Sequence, residues 1–163
     1  MPVKNLRHLP KAHLHLHLEG AMRPATLTEF CARYKIERPS DTRGQQFSNF
    51  TAFNEVYRAA SDSIRTKQDL ARVVLEVAED AAKDGANWIE LAFDADRYTI
   101  LRADRSLRLF ETPYEGWLFA LEAARNASEK TGVGISFISA IDRTRPIEQA
   151  NERSKLTYNL ISS

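Results

Sequence analysis

The sequence has little of several residue types and patterns, and each scarcity excludes a class of protein. A single cysteine, Cys31, stands among 163 residues, so a disulfide framework is excluded and a reducing compartment is favoured. No apolar run approaches the ~20 residues of a membrane-spanning helix. The first residues also lack the apolar region of a secretory signal peptide. We therefore expect a cytoplasmic protein without a membrane partner.

The sequence also lacks an excess of charge of either sign. It has 23 basic and 22 acidic residues and a net charge of +1, and like charges do not form blocks. Such a balance creates no field that would gather nucleic acid. The hydrophobic share of 43% and the charged share of 28% are typical of one globular domain. This composition is compatible with a small neutral substrate.

Histidine is concentrated in one short segment. His13, His15 and His17 alternate with leucines, which predicts a strand with the three imidazoles on one face and Leu14, Leu16 and Leu18 on the other. A single strand histidine is usually structural. Two imidazoles at i and i+2 can instead share a metal ion, and zinc suits nitrogen ligands best. Because three of the four histidines in the chain are clustered here, we favour a metal site.

The segment Pro10–Gly20 resembles the first strand of the adenosine deaminase family, whose opening motif is P-K-x-[acid]-L-H-x-H-L-[acid]-G. In that family the two motif histidines bind zinc, and the second acid and the glycine lie against the bound nucleoside. The resemblance therefore implies His15 and His17 as zinc ligands and His17, Glu19 and Gly20 as substrate-binding residues. His13 stands where the family has an acid, and we interpret it as a supporting or structural residue.

The residues after this strand predict further helices. Pro24 begins a helix with Leu27, Phe30, Cys31 and Tyr34 on one face, which makes Cys31 a core residue rather than a nucleophile. A helix over about 51–64 carries an apolar stripe of a kind that is usually core, and a helix capped by Thr66 and Asp69 follows. The stripe consists of Phe53, Val56, Tyr57, Ala60 and Ile64. The stretch from Phe50 to Asp69 also resembles the family's extra helical segment, which partly covers the substrate site, and this makes Phe50 and Phe53 minor candidates for ligand contact.

The second half of the chain predicts two more strands. Trp88–Asp94 is an expected strand with Ile89, Leu91 and Phe93 on the helix side, and 95–111 is an expected loop. A helix over 112–131 follows with Trp117, Leu118, Leu121 and Ala124 as its apolar stripe, then a strand over 133–141 and a helix over 146–160. Asp94 has an open role: it ends a strand where barrel enzymes place functional groups, but it can equally cap the next loop.

The alternation of strands and helices predicts a parallel α/β sheet, and the resemblance implies the N-terminal part of a TIM (β/α)₈ barrel with about three β/α units and extra helices. A complete barrel needs about 250 residues. Residues 1–163 are therefore interpreted as one incomplete domain, with the resemblance over about 6–145 and a helical tail over 146–163 of uncertain match. The family's third histidine ligand and catalytic glutamate have no counterpart here, and His8 matches neither. We therefore assign no catalytic residue in this chain.

The resemblance implies zinc-dependent hydrolytic deamination of a purine nucleoside, adenosine to inosine and ammonia, with Glu19 accepting a hydrogen bond from a ribose hydroxyl. An amidohydrolase of another substrate remains an alternative. So does a non-catalytic fragment or one half of a split protein, which would pair with a complementing half or with itself. His17-Leu18-Glu19 also matches half of the cytidine deaminase signature, but one cysteine cannot supply its two thiolate ligands.

Overall fold

The computed structural model describes residues 9–99, 108–139 and 146–162. Within them, three parallel strands form one sheet in which the order along the chain is also the order in space. The strands are β1 (Lys11–His17), β2 (Ala86–Phe93) and β3 (Gly134–Ser139). This confirms the predicted parallel α/β arrangement. The predicted residues His8 and Asp142–Arg145 lie outside the described part of the chain.

Five α-helices accompany the strands in the described residues. They are α1 (Pro24–Tyr34), α2 (Phe50–Asp62), α3 (Lys67–Asp84), α4 (Pro113–Thr131) and α5 (Ile147–Ser162). Two short 3₁₀ turns, Glu19–Ala21 and Ala95–Tyr98, follow β1 and β2. The second turn corrects the expectation of an unstructured loop from residue 95. None of the described helices is long and apolar enough to cross a membrane.

The predicted capping box fixes the start of α3. The Thr66 hydroxyl accepts a hydrogen bond from the Asp69 amide at 3.0 Å, and the Asp69 carboxylate accepts one from the Thr66 amide at 3.0 Å. Gly85 ends the helix in the left-handed region at φ 83°, where glycine bears no steric cost. α3 is therefore held at both ends by local sequence, and β2 starts one residue later.

One face of the sheet is buried under helices. Ile89, Leu91 and Phe93 of β2 are at most 1% exposed, as their alternation predicted. α3 packs against them with a fully buried stripe that includes Leu70, Val73 and Val74. Cys31 of α1 is 3% exposed, which confirms it as a core residue, and burial raises the pKa of its thiol.

α4 differs from the prediction in the side chains that it buries. Trp117 and Ala124 are buried as expected, but Leu118 and Leu121 are 45% and 42% exposed. The buried face instead consists mainly of small residues, Ala120, Ala123, Ala124 and Ala127. Small side chains let α4 pack closely against α3 and the sheet, and this close packing leaves the larger leucines outside.

The opposite face of the sheet is open. Leu14 of β1 is 63% exposed and Trp88 of β2 is 45% exposed. The indole ring of Trp88 lies directly on Gly134 of β3, where a Cβ atom would overlap it. In a closed (β/α)₈ barrel this face would be the interior, which is normally filled by side chains of all the strands.

Candidate functional site

β1 contains a bulge within the histidine segment. Its register with β2 shifts between His13 and Leu16, and His15 has a φ of 58°. The left-handed conformation costs a residue other than glycine roughly 1–2 kcal/mol. Bulges of this kind change the direction of side chains and are frequent beside active sites. The strict alternation inferred from sequence is therefore interrupted at His15.

The bulge separates His13 from the other two histidines. Nε2 of His13 lies 3.3 Å from Oδ2 of Asp84, the last residue of α3, and Nζ of Lys11 lies 3.3 Å from the same oxygen. The hydrogen bond and the charge of Lys11 lower the pKa of the Asp84 carboxyl most, and the hydrogen bond with His13 lowers it further. The expectation that all three histidines share one face is wrong for His13. For the same reason Leu14 is not on a buried leucine face.

His15 and His17 remain together at the end of β1. Their ring centroids are 5.3 Å apart, and both side chains line one cleft. Imidazole nitrogens bind zinc at about 2.0–2.1 Å, so two rings on one tetrahedral ion have centroids about 5 Å apart. The pair therefore fits a shared zinc ion. No third histidine, cysteine, aspartate or glutamate completes a set of three ligands within residues 9–99, 108–139 and 146–162.

The cleft has a volume of about 750 Å³ and lies between the carboxyl ends of β1 and β2, helix α2 and the segment before α2. Helix α2 turns its apolar stripe toward this space, with Phe53, Val56, Tyr57 and Ala60 among the lining residues. The stripe lines the cleft, as expected from the resemblance to the family's extra helical segment, and the expectation of a core stripe holds only at Ile64, which is fully buried. Periodicity shows that a helix has an apolar face, but it does not distinguish a core from an apolar cleft.

Glu19 lies in the wall of the cleft, 4% exposed, and both of its carboxylate oxygens accept hydrogen bonds. The Tyr57 hydroxyl donates to Oε2 at 2.6 Å and the Tyr98 hydroxyl donates to Oε1 at 2.7 Å. Burial is the larger cause and the charge of Glu19 the second that raise the pKa of both phenols. Both hydroxyls therefore stay protonated and act as donors. We name these three residues the glutamate clamp.

Sequence reasoning missed the two tyrosines of the glutamate clamp. Tyr57 belonged to a stripe interpreted as core, and Tyr98 lay in a segment interpreted as loop. Nothing in their local sequence indicates a carboxylate partner 38 or 79 residues away. A buried tyrosine usually finds a partner for its hydroxyl, but the sequence does not identify that partner.

Gly20 also lines the cleft. A Cβ atom there would lie 3.6 Å from the ring of Tyr57 and 3.7 Å from Cβ of His17, which are ordinary contact distances. A steric clash is therefore not what requires a glycine at position 20. Its effect is to leave space between the histidine pair and α2, where a larger side chain would protrude.

Asp94 and Arg97 complete the wall at the end of β2. Asp94 caps the 3₁₀ turn by accepting the Asp96 amide at 3.2 Å, and its Oδ1 lies 3.0 Å from Nη2 of Arg153 on α5. Asp94 thus has the capping role that was one of its two expected roles. The guanidinium of Arg97 lies 5.3 Å from the centroid of the Tyr57 ring. Its Nη1 is buried and has no hydrogen-bond partner among the described residues.

Curated proteins named deaminases are similar to this chain in sequence. An adenosine deaminase from Clostridium acetobutylicum is 27% identical over 162 residues, covering 93% of this chain and 46% of that protein. An adenine deaminase from Stutzerimonas stutzeri is 30% identical over 151 residues, covering 89% of this chain and 45% of that protein. The chain therefore spans about half the length of the curated relatives that it matches.

A solved structure and a family model extend the comparison. The crystal structure of an amidohydrolase from Burkholderia ambifaria with bound zinc superposes with a TM-score of 0.72 at 22% identity. The superposition covers 98% of this chain and 44% of the solved chain. The fold is therefore that of the N-terminal part of this barrel enzyme. The family model described as adenosine deaminase matches residues 10–161, from the histidine strand into α5. The chain therefore belongs to the adenosine deaminase family.

Proposed function

We propose that the chain supplies the first zinc ligands and one wall of the substrate cleft to a hydrolytic deaminase of 6-aminopurines, with adenosine as the expected substrate. The observation that carries this proposal is the His15–His17 pair, 5.3 Å apart, at the carboxyl end of β1. The relatives named adenosine and adenine deaminase and the zinc-containing neighbour support it. In barrel enzymes this end of the strands is where active sites lie.

His15 and His17 would hold the zinc ion in this proposal. Zinc lowers the pKa of a bound water toward about 7, which supplies a nucleophile at neutral pH. The apolar side chains of α2 cover one side of the cleft, where they exclude bulk water and give the flat purine an apolar surface. In the overall reaction, water adds at the amino-bearing carbon and ammonia leaves.

We further propose that catalysis needs the remaining barrel units, in the same protein or in a complementing chain. Two histidines leave zinc short of the three protein ligands of typical catalytic sites. The chain covers 46% and 45% of the two curated deaminases, so a comparable length is unmatched. The face with the exposed Leu14 and Trp88, and the edges of β1 and β3 that pair with no further strand in the described residues, favour association with another polypeptide, including a second copy. The single buried cysteine supports the cytoplasm as the compartment.

Zinc binding is tested by titrating the purified chain against a chromophoric zinc indicator. We expect weak binding that His15→Ala and His17→Ala each abolish. His13→Ala is the matched control, because His13 contacts Asp84 instead of the cleft and its loss should leave the affinity unchanged. Equal losses in all three variants, or no loss in either His15→Ala or His17→Ala, would contradict the proposed site.

Activity is tested by ammonia release from adenosine and deoxyadenosine with added zinc. The chain alone should show no turnover at enzymatic rates, because it lacks a positioned general acid, a contribution of typically ~10²–10⁴-fold. Turnover that His15→Ala and His17→Ala both abolish would show that the missing groups come from elsewhere, such as a second copy. In that case the requirement for remaining barrel units would be wrong.

A further inference from the structure

We propose that a zinc ion joins two copies of this chain through their histidine pairs. This inference rests on the zinc site of the proposed function and adds a partner to it, a second copy of the chain. Each copy would contribute His15 and His17, which line the same cleft, so that four imidazoles surround one ion. The ion would lie on the two-fold axis between the copies, because a homodimer of this symmetry presents the same surface twice.

The coordination preference of zinc is the first argument. In structural protein sites zinc is almost always four-coordinate and tetrahedral. The rings of His15 and His17, with centroids 5.3 Å apart, can supply two of the four positions. No further histidine, cysteine, aspartate or glutamate joins them as a third ligand in the part of the chain that the structure describes. Two positions are therefore left for ligands from outside the chain.

The histidine pair is accessible to another polypeptide. Both residues are exposed, although they line the cleft. Among the described residues β1 pairs only with β2, so its other edge has no strand beside it. The bulge at His15 interrupts the backbone ladder on β1, and bulges of this kind disfavour a continuous sheet across two copies. We therefore expect side chains and a metal ion, and not strand pairing, to join the copies.

Charge does not oppose contact between two copies. The lining of the cleft has three acids and three arginines, namely Glu19, Asp41, Asp94, Arg38, Arg43 and Arg97. The whole chain has a net charge of +1. Two copies therefore approach without the repulsion that a large charge of one sign would cause. Leu14, next to the histidine pair on β1, is 63% exposed, and its contact with a second copy would remove apolar surface from water.

A shared site of this kind differs from a catalytic one in its chemistry. Catalytic zinc sites keep one position for water or substrate, whereas four imidazoles fill all four positions. The two-copy form would therefore hold zinc without activating water. The remaining barrel units of the proposed deaminase would have to displace one copy before an active site could form.

Analytical ultracentrifugation of the full chain during a zinc titration tests the inference. We expect the mass to double from 18.5 kDa, and the change to be complete at one zinc ion per two chains. Because two chains share each ion, a tenfold higher chain concentration should lower the free zinc concentration at the midpoint about tenfold. A chelator should restore the initial mass.

His15→Ala and His17→Ala should each abolish the zinc-dependent change in mass. His15→Gly is a second variant at the bulge, because glycine adopts the φ of 58° without steric cost if His15→Ala does not fold. His13→Ala is the matched control. His13 contacts Asp84 instead of the cleft, so this variant should double in mass as the wild-type chain does.

Three outcomes would count against the shared site. If one zinc ion binds per chain and the mass does not change, the shared site is wrong and the zinc site of the proposed function stands. A doubling that persists in folded His15→Gly or His17→Ala would also overturn the shared site, since another surface would then join the copies. If the wild-type chain binds no zinc, the zinc site of the proposed function is wrong, and the shared site with it.

Discussion

The two faces of the same sheet differ in how completely the chain covers them. On the helix side, Leu91 is fully buried with its neighbours under α3 and α4. On the other side, Leu14 is 63% exposed and Trp88 is 45% exposed. Burial of apolar surface is the main source of folding free energy, so the helix side supplies the stability. The open side contributes little to it, and the histidine pair lies at one end of this open side.

The largest effect should come from shortening a leucine on the covered face. Leu91→Ala should reduce the free energy of unfolding by about 2–5 kcal/mol, because a fully buried leucine leaves a cavity. Leu14→Ala removes the same atoms from the open face and should change it by less than about 0.5 kcal/mol. Urea denaturation followed by circular dichroism measures both values. Similar losses would mean that the open face is covered in solution.

A smaller effect is expected where β2 and β3 touch through Trp88 and Gly134. Gly134→Ala places a Cβ atom in the indole ring of Trp88 and should cost roughly 1–3 kcal/mol, as overpacking does. Gly20→Ala is the control, since its Cβ would meet only ordinary contacts at 3.6 and 3.7 Å. Thermal unfolding of the two variants measures the difference. An unchanged unfolding temperature in Gly134→Ala would show that the Trp88 ring can shift toward the exposed face of the sheet without cost.

The bulge predicts an asymmetry between the two proposed zinc ligands. His15 pays roughly 1–2 kcal/mol for its left-handed conformation, and glycine removes that cost while losing more entropy on folding. His15→Gly should therefore leave the metal-free stability within about 1 kcal/mol of wild type, and should destabilise less than His17→Gly. Both variants should lose zinc. A larger loss of stability in His15→Gly would show that its side chain supports the fold.

The smallest effect concerns the surface of the helix layer. Arg23 hydrogen bonds to Asp80 of α3 at 2.7 Å and holds the pKa of the Asp80 carboxyl below its ordinary value of 3.8. A depressed carboxyl pKa stabilises the fold above about pH 3.8, and the contribution is lost as the pH falls further. Because Asp80 is half exposed, Asp80→Asn should cost at most about 1 kcal/mol at pH 7.

Denaturation at pH 7 and at pH 3 measures this contribution. The gap between the wild-type chain and Asp80→Asn should narrow at the lower pH, where the carboxylate of the wild-type chain becomes protonated. A gap that stays constant over this range would show that Asp80 acts through packing and not through its charge.

The covered face was the more predictable of the two. Thr66 and Asp69 form the capping box that predicted the start of α3. The alternation of Ile89, Leu91 and Phe93 correctly predicted the buried side of β2. These features depend on contacts within a few residues or on a period that the backbone imposes. The predicted stripe of α4 was wrong at Leu118 and Leu121 because close packing against α3 favours alanines, and this choice depends on a helix elsewhere in the chain.

The site was predictable in its residues but not in its geometry. The motif located His15 and His17, and the structure brings these two together at the cleft. A period of two could not predict a register shift against β2, a strand far along the chain, and so His13 was placed on the wrong face. Glu19 was located as well, but its two tyrosine partners come from α2 and from the turn after β2. Such contacts form only when separate segments pack together.

The positions of the two tryptophans make the chain its own optical reporter. Trp117 is 7% exposed within the helix layer, whereas Trp88 is 45% exposed on the open side of the sheet. A shielded indole emits at shorter wavelength than a hydrated one, so the emission spectrum should contain two components of different colour. An aqueous quencher should attenuate the longer-wavelength component first. Any polypeptide that covers the open side would exclude water from Trp88 and shift its emission to shorter wavelength. The emission of Trp117 should stay constant and serve as an internal standard.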